Sequence, residues 1–268
     1  METAGLAVGA LSLAGLFNNA VQCFEFVQLG RSFGKDFETS QLKLECARLR
    51  LSRWGAALGL GEDLQNEMLL EARLGSQVTE QAKQLLGQTL AVFEEAKGVS
   101  SKYVSQAKLS DGQIAVCNSQ ENMDPPTADL CNHMRQISLK RQNRTSILKK
   151  TKWALYQEKH FRRLIEDIKE LIDGLIGLFP ASQEDQQRLC SAEVSTMGDS
   201  AAMPLLSKVA SEQDALLTGV ISKLAASKGA SYSTVFSGDH NSGVQVGQNM
   251  GSMREFTFGR GNQEGRDA

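Results

Sequence analysis

Apolar residues recur at helical spacing through most of the first 225 positions. From Asp36 to Leu58, Phe37, Leu44, Leu51 and Leu58 fall seven apart with Trp54 beside them. Lys43, Glu45, Arg48, Arg50 and Arg53 take the other faces, so the pattern predicts an amphipathic helix. Phe161 to Phe179 places Leu164, Ile165, Ile168, Leu171, Ile172, Leu175 and Ile176 at three-and-four spacing, with Pro180 just past the end. Ser76–Lys97, Thr127–Lys150 and Pro204–Leu224 follow similar patterns, and Pro204 suits a first helical turn. Ser100–Asn122 is less periodic, and its Gln113-Ile114-Ala115-Val116 reads as a short strand or hairpin arm. The bulk of the chain is therefore expected to be an all-α bundle.

The pattern stops after Leu224. From there to Ala268 there is no Leu, Ile or Pro, Gly, Ser, Asn and Gln dominate, and four basic residues offset four acidic ones. Such a stretch buries too little apolar area to offset its chain entropy, so a disordered tail is expected in the isolated monomer. At 268 residues, this gives one helical domain over 1–225 and a tail over 226–268.

Charge and chemistry narrow the function. Lys and Arg total 29 against 31 Asp and Glu, a balance that argues against a dedicated nucleic-acid binder. Five cysteines without a C-x-x-C pair, and three histidines outside any metal-ligand spacing, suggest no disulfide framework, metal or other cofactor, and a reducing, intracellular setting. No nucleophile–base pair or catalytic carboxylate pair is recognisable, so an enzyme is not expected.

Three features remain. Thr3–Phe24 carries no charge, and Ala4–Phe17 is an apolar run containing Leu6, Val8, Leu11, Leu13, Leu16 and Phe17, broken only by Ser12. It is short of the 20 or so residues that a spanning helix wants. It reads either as a buried first helix or as a segment that enters a bilayer once released, with Gly5, Gly9 and Gly15 permitting close helix contact. Between Asp129 and Glu158 lie seven basic residues and no acidic one: Arg135, Lys140, Arg141, Arg144, Lys149, Lys150 and Lys152. This run is either a solvated helix face or a patch for anionic lipid; no aromatics interleave to stack nucleic-acid bases. Finally, Asn241-Ser242-Gly243-Val244-Gln245-Val246-Gly247-Gln248-Asn249 is nearly a palindrome about Gln245. As a flexible linker it needs no such symmetry. Stacked in register over many chains, its Gln and Asn form ladders and Val244 and Val246 a dry interface.

Two resemblances bear on these features. The segment Gly15-Leu-Phe-Asn-Asn-Ala-Val-Gln-Cys-Phe-Glu-Phe-Val-Gln-Leu-Gly30, then Ala47-Arg-Leu-Arg-Leu-Ser-Arg-Trp54 and Thr151-Lys-Trp153-Ala-Leu-Tyr156, resembles the HeLo domain of the fungal HET-S/HET-s prion proteins. It covers about 1–225 and implies a helical bundle with a small strand pair. The tail lacks the two longer charged pseudo-repeats of that family. Its Gly243-Val-Gln-Val-Gly247-Gln-Asn249 is instead similar to the pseudo-palindromic amyloid motif of other fungal cell-death proteins, and to the RIP homotypic interaction motif.

The resemblance implies a two-part machine, cytoplasmic at rest. An upstream NLR-type receptor with a matching motif templates Asn241–Asn249, the chains self-associate, and the N-terminal helix is extruded to the anionic lipids of the plasma membrane, which leaks. The family also holds inactive members, so the alternative is a non-toxic prion propagator or adaptor in heterokaryon incompatibility. Changes around Gly30–Gly34 separate the two classes, and Ser32 leaves the choice open.

Overall fold

The computed structural model describes residues 12–61, 75–109, 123–142, 152–198 and 200–229. Among them, helix α1 is Leu13–Cys23, strand β1 Val27–Leu29, helix α2 Phe37–Ala57, helix α3 Ser76–Leu109 and helix α4 Pro125–Lys140. Strand β2 is Trp153–Leu155, followed by α5 at Glu158–Leu178, α6 at Gln183–Met197, α7 at Met203–Gln213 and α8 at Ala215–Gly229. Met1–Ser222 forms one compact unit, the bundle described here, and Lys223–Ala268 a second, of which residues 223–229 continue α8. The expected strand at Gln113–Val116 lies outside the described residues, as do Leu6, Val8, Leu11, Arg144, Lys149, Lys150 and Asn241–Asn249.

Helix α2 is the axle. It packs against α1, α4, α5, α6 and α7, so it has no free outer face. The amphipathic expectation is corrected here: Glu45, Arg48 and Arg53 are buried along with Leu42, Leu44, Leu49, Leu51 and Trp54. Trp54 anchors the centre. Its indole Nε1 donates to the Leu175 carbonyl at 3.2 Å. That carbonyl is free to accept because α5 tightens at its end, where the Phe179 amide turns to Ile176 O at 3.1 Å.

Other boundaries differ from the pattern for local reasons. Helix α3 runs through Gly98 to Leu109, well beyond Lys97; a single interior glycine weakens a helix without ending it. Helix α4 starts where the Asp124 side chain accepts the Thr127 amide at 3.1 Å and ends at Lys140, ten residues short of the expected Lys150. The Pro204–Leu224 helix is two helices. Asp214, with non-helical backbone, breaks it and caps α8 by accepting the Leu217 amide at 3.1 Å. Helix α6 escaped the pattern because its inward face carries Gln186 and Glu193 as well as Cys190, Val194 and Met197.

The two strands pair in parallel, Val27 with Trp153, Gln28 with Ala154 and Leu29 with Leu155. Ser100 on α3 donates its hydroxyl to the Ala154 carbonyl at 2.5 Å, tying the pair to the bundle. At the end of β1, Gly30 donates its amide to Leu155 O at 2.7 Å and has no room for a Cβ, because the Tyr156 ring lies against it.

Candidate functional site

Helix α1 is the centre of the candidate site. Ser12 caps it, its hydroxyl accepting the Gly15 amide at 3.1 Å. Leu13, Leu16, Phe17, Ala20 and Val21 are completely buried, packed between α3 and α2. Phe17 meets Trp54 edge to face with ring centroids 6.2 Å apart. Gly55 lies directly beneath the Phe17 ring, and a methyl group there would overlap it. The half of the expected membrane segment that is described, Leu13, Leu16 and Phe17, thus lies wholly in the core.

Just past α1 comes Glu25, in a short 3-10 turn spanning Phe24–Phe26. Its carboxylate is clasped by two guanidiniums. One oxygen accepts from Arg48 Nη2 and from Arg135 Nε at 2.9 Å, the other from Arg135 Nη2. Arg48 also donates to Glu45 at 3.1 Å. Burial alone would raise the Glu25 pKa, yet the hydrogen bond and charge of Arg135 and the charge of Arg48 outweigh it and hold the carboxyl below its ordinary value. Glu45 goes the other way: its burial outweighs Arg48 and pushes its carboxyl up.

A second ionic cluster ties the other end of the bundle. Arg53 on α2 donates from Nε to both Glu193 oxygens, at 3.0 and 2.9 Å, and from Nη2 to Oε2 at 2.6 Å. Its Nη1 reaches Asp214 at 2.8 Å, and Arg141 adds a bond to Glu193 at 2.5 Å. Arg53 and Glu193 are each only 1% exposed in their side chains. Burial disfavours the charged guanidinium, but the two facing carboxylates more than reverse this and raise its pKa well above normal. Two cations face two anions, the condition under which charges stay ionised in a dry interior.

Of the expected anionic-lipid patch, Lys140 and Lys152 are exposed, whereas Arg141 turns inward to Glu193 with its side chain 13% exposed. Arg141 therefore serves as an ion partner of Glu193, turned away from the side on which Lys140 is exposed. The described cysteines Cys23, Cys46, Cys131 and Cys190 are buried free thiols, and burial pushes the Cys190 thiol up to about 12. At that value the reactive thiolate is scarce. Among the described residues, no three His, Cys, Asp or Glu side chains gather as a metal site, and no helix is long and apolar enough to cross a membrane.

Glu25, Arg48, Arg53, Glu193 and Asp214 belong to no motif that the sequence displays. The residue types carry no spacing signal, since apart from Glu45, three positions before Arg48, their ionic partners come from 23 to 161 positions away in sequence. An Asp ahead of the apolar run Ala215-Leu216-Leu217 was the one local sign of the α7–α8 break.

A buried apolar first helix, a central polar-cored axle and a parallel strand pair define the class. Residues 5–206 match the HeLo family, described as prion-inhibition and propagation, and the chain belongs to that family. Residues 228–254 match the SesB domain found on fungal death-pathway proteins, a stretch that includes Asn241–Asn249. The chain is 35% identical over 217 residues to heterokaryon incompatibility protein s of Podospora anserina, covering 81% of this chain and 73% of that one. It is 34% identical over 213 residues to heterokaryon incompatibility protein S of the same fungus, covering 80% and 71%. Among solved structures, it is similar to the HET-S N-terminal domain, with a TM-score of 0.73 and 33% identity over 82% of this chain and 96% of that one. A doubly substituted HET-s N-terminal domain gives 0.72 and 31%, over 80% and 99%.

Proposed function

We propose that this HeLo protein is a membrane-disrupting executor of fungal regulated cell death, switched on when Asn241–Asn249 is templated into an amyloid fold by an NLR-type receptor with a matching motif. In this reading it rests in the cytoplasm as residues 1–225 with a tail at 226–268, and acts at the plasma membrane. The observation that carries the reading is the character of α1. Burying Leu13, Leu16, Phe17 and Val21 removes each from water, a gain of about 1.5–3 kcal/mol per side chain. A bilayer removes them from water equally well, because lipid tails are as apolar as leucine. Transfer from core to membrane therefore keeps the hydrophobic term, and what opposes it is packing against Trp54 and Gly55 and the tie made by Glu25.

The test is dye release from anionic liposomes by the full-length protein, with and without preformed fibres of Ser227–Ala268. Release only with fibres is the expected result. Fibres that recruit the protein without release would make it a non-toxic propagator or adaptor. A peptide that never forms fibres would return the tail to a linker.

A further inference from the structure

The clasp around Glu25 sits in a polar recess of about 90 Å³ between β1, α2 and α4, lined among others by Glu25, Glu45, Arg48, Arg135 and Lys152. Its charges do not balance: three cations face two carboxylates. Among the described residues Lys152 makes no ion pair, and it is exposed; the Arg135 side chain is 43% exposed, so the recess opens to solvent on its cationic side. At its floor, Arg48 is 1% exposed, and its Nε is buried with no hydrogen-bond partner among the described residues. A guanidinium N–H that deep without an acceptor is costly, and here it belongs to a side chain that lines a cavity. Two guanidiniums and an ammonium converging on one recess suit a group with several anionic oxygens, a phosphate above all.

Glu25 fills the place that such a group would take. It is carried on the short turn that begins where α1 ends, whereas Arg48 and Arg135 belong to α2 and α4. Any departure of α1 pulls the carboxylate out and leaves the fully buried Arg48 guanidinium with Glu45 alone, a loss that another anion in the place of Glu25 would offset.

We propose that Arg48, Arg135 and Lys152 form a phosphate-binding site that Glu25 occupies at rest, and that the phosphate of an anionic lipid headgroup takes its place when α1 leaves. The exchange half of this proposal rests on the executor reading; the binding half does not. The site differs from a general basic surface in having a buried floor, a fixed fork geometry and a built-in competitor.

The test uses the full-length protein and three probes: phosphatidylcholine vesicles, the same vesicles carrying phosphatidic acid, and inorganic phosphate. Glu25→Gln vacates the charge with little change of shape. It should bind phosphatidic-acid vesicles about tenfold more tightly than wild type, with little binding to phosphatidylcholine alone. Adding Arg135→Gln or Lys152→Gln should return binding to the wild-type level, while Lys140→Gln, with the same loss of charge outside the recess, should not. Inorganic phosphate that competes fully would assign the site to phosphate from either source, and weak competition would assign it to the headgroup. No gain for Glu25→Gln, or an equal loss from Lys140→Gln, overturns the proposal.

Should Glu25→Gln fail to fold, Lys152→Gln in the wild-type chain decides, since Lys152 is exposed. Fibre-seeded release should then need about tenfold more phosphatidic acid than with Lys140→Gln. Equal lipid demand in these two variants overturns the site and leaves the executor reading intact. Absence of seeded release from any vesicle overturns the executor reading, and the binding comparison still decides the site.

Discussion

Arg53 and Glu193 form a bidentate pair in the interior, with Nη2 2.6 Å from Oε2 and both side chains 1% exposed. Through Asp214, 2.8 Å from Nη1, the same guanidinium also holds the residue that caps α8. One side chain of α2 thus fixes α6 and the break that starts the last described helix. Its removal leaves two buried carboxylates with Arg141 alone to neutralise them.

Arg53→Ala should accordingly lower the unfolding free energy by about 3–5 kcal/mol, the usual loss when one partner of a buried pair is deleted. In a bundle of this size that is a fall of roughly 10 °C in melting temperature, read by calorimetry or circular dichroism. Arg53→Lys should recover only part of it, because an ammonium cannot make the forked contact. A variant that melts with the wild type would show that the cluster is not holding the bundle.

Gly55→Ala tests the seat of α1. The added methyl overlaps the Phe17 ring, so the helix must shift, at a cost of about 1–3 kcal/mol. Amide exchange in residues 13–23 should accelerate more than elsewhere, and leakage should begin with fewer seeds. Uniform exchange across all helices would mean that the strain is shared by the whole fold.

The Glu25 and Glu45 carboxyls give opposite pH signatures. Glu25 has its folded pKa below the ordinary 4.5, so its stabilisation is complete above that value and is lost as pH falls through the folded pKa. The deficit of Glu25→Gln against wild type should therefore be full at neutral pH and shrink below pH 4.5. Glu45 has its folded pKa raised, so its ionisation costs stability as pH rises above its unfolded value of 4.5. Glu45→Gln should gain on the wild type as pH rises. Urea denaturation between acid and neutral pH separates the two, and parallel curves for both variants would contradict the assignment.

Membrane entry can be tested without damaging the core. Leu13 is fully buried, so a lysine there would unfold the bundle as well as block insertion. Gly15 is half-buried, and among the described residues a Cβ at that position meets the Ser12 hydroxyl alone, at 3.3 Å. Gly15→Lys places a charge near the middle of the 4–24 segment, which costs about 2.5–3.5 kcal/mol on insertion scales. Fibre recruitment should persist while dye release falls by tenfold or more, and undiminished release would remove α1 from the mechanism.

The tail has its own probe. Val244→Asp puts a charge into every layer of a stacked assembly, where like charges repeat along the fibril axis without partners. Seeded recruitment and release should both disappear while the melting temperature of the bundle stays unchanged. Persistent recruitment would show that Asn241–Asn249 is not the receiver.

The sequence by itself determined the helical class, the cores of α2 and α5, and the HeLo resemblance, because those depend on local periodicity and on short runs such as Phe24–Gly30 and Ala47–Trp54. It also marked α1 as apolar enough to be either core or membrane segment. Only the tertiary structure decided that Arg48 and Arg53 are interior residues. A charged position on a helix reads as solvent-facing until the surrounding helices are known, and α2 is enclosed on every side. The small strand pair was implied by the resemblance, but which residues form it was not readable from local pattern, since Val27–Leu29 and Trp153–Leu155 are three residues each and meet across more than a hundred positions. The tie from Asp214 to Arg53 was likewise out of reach of local pattern, because the two lie 161 positions apart. Periodicity records which face of a helix is greasy; the pairing of buried charges is set by which helices meet, and that is a property of the assembled bundle.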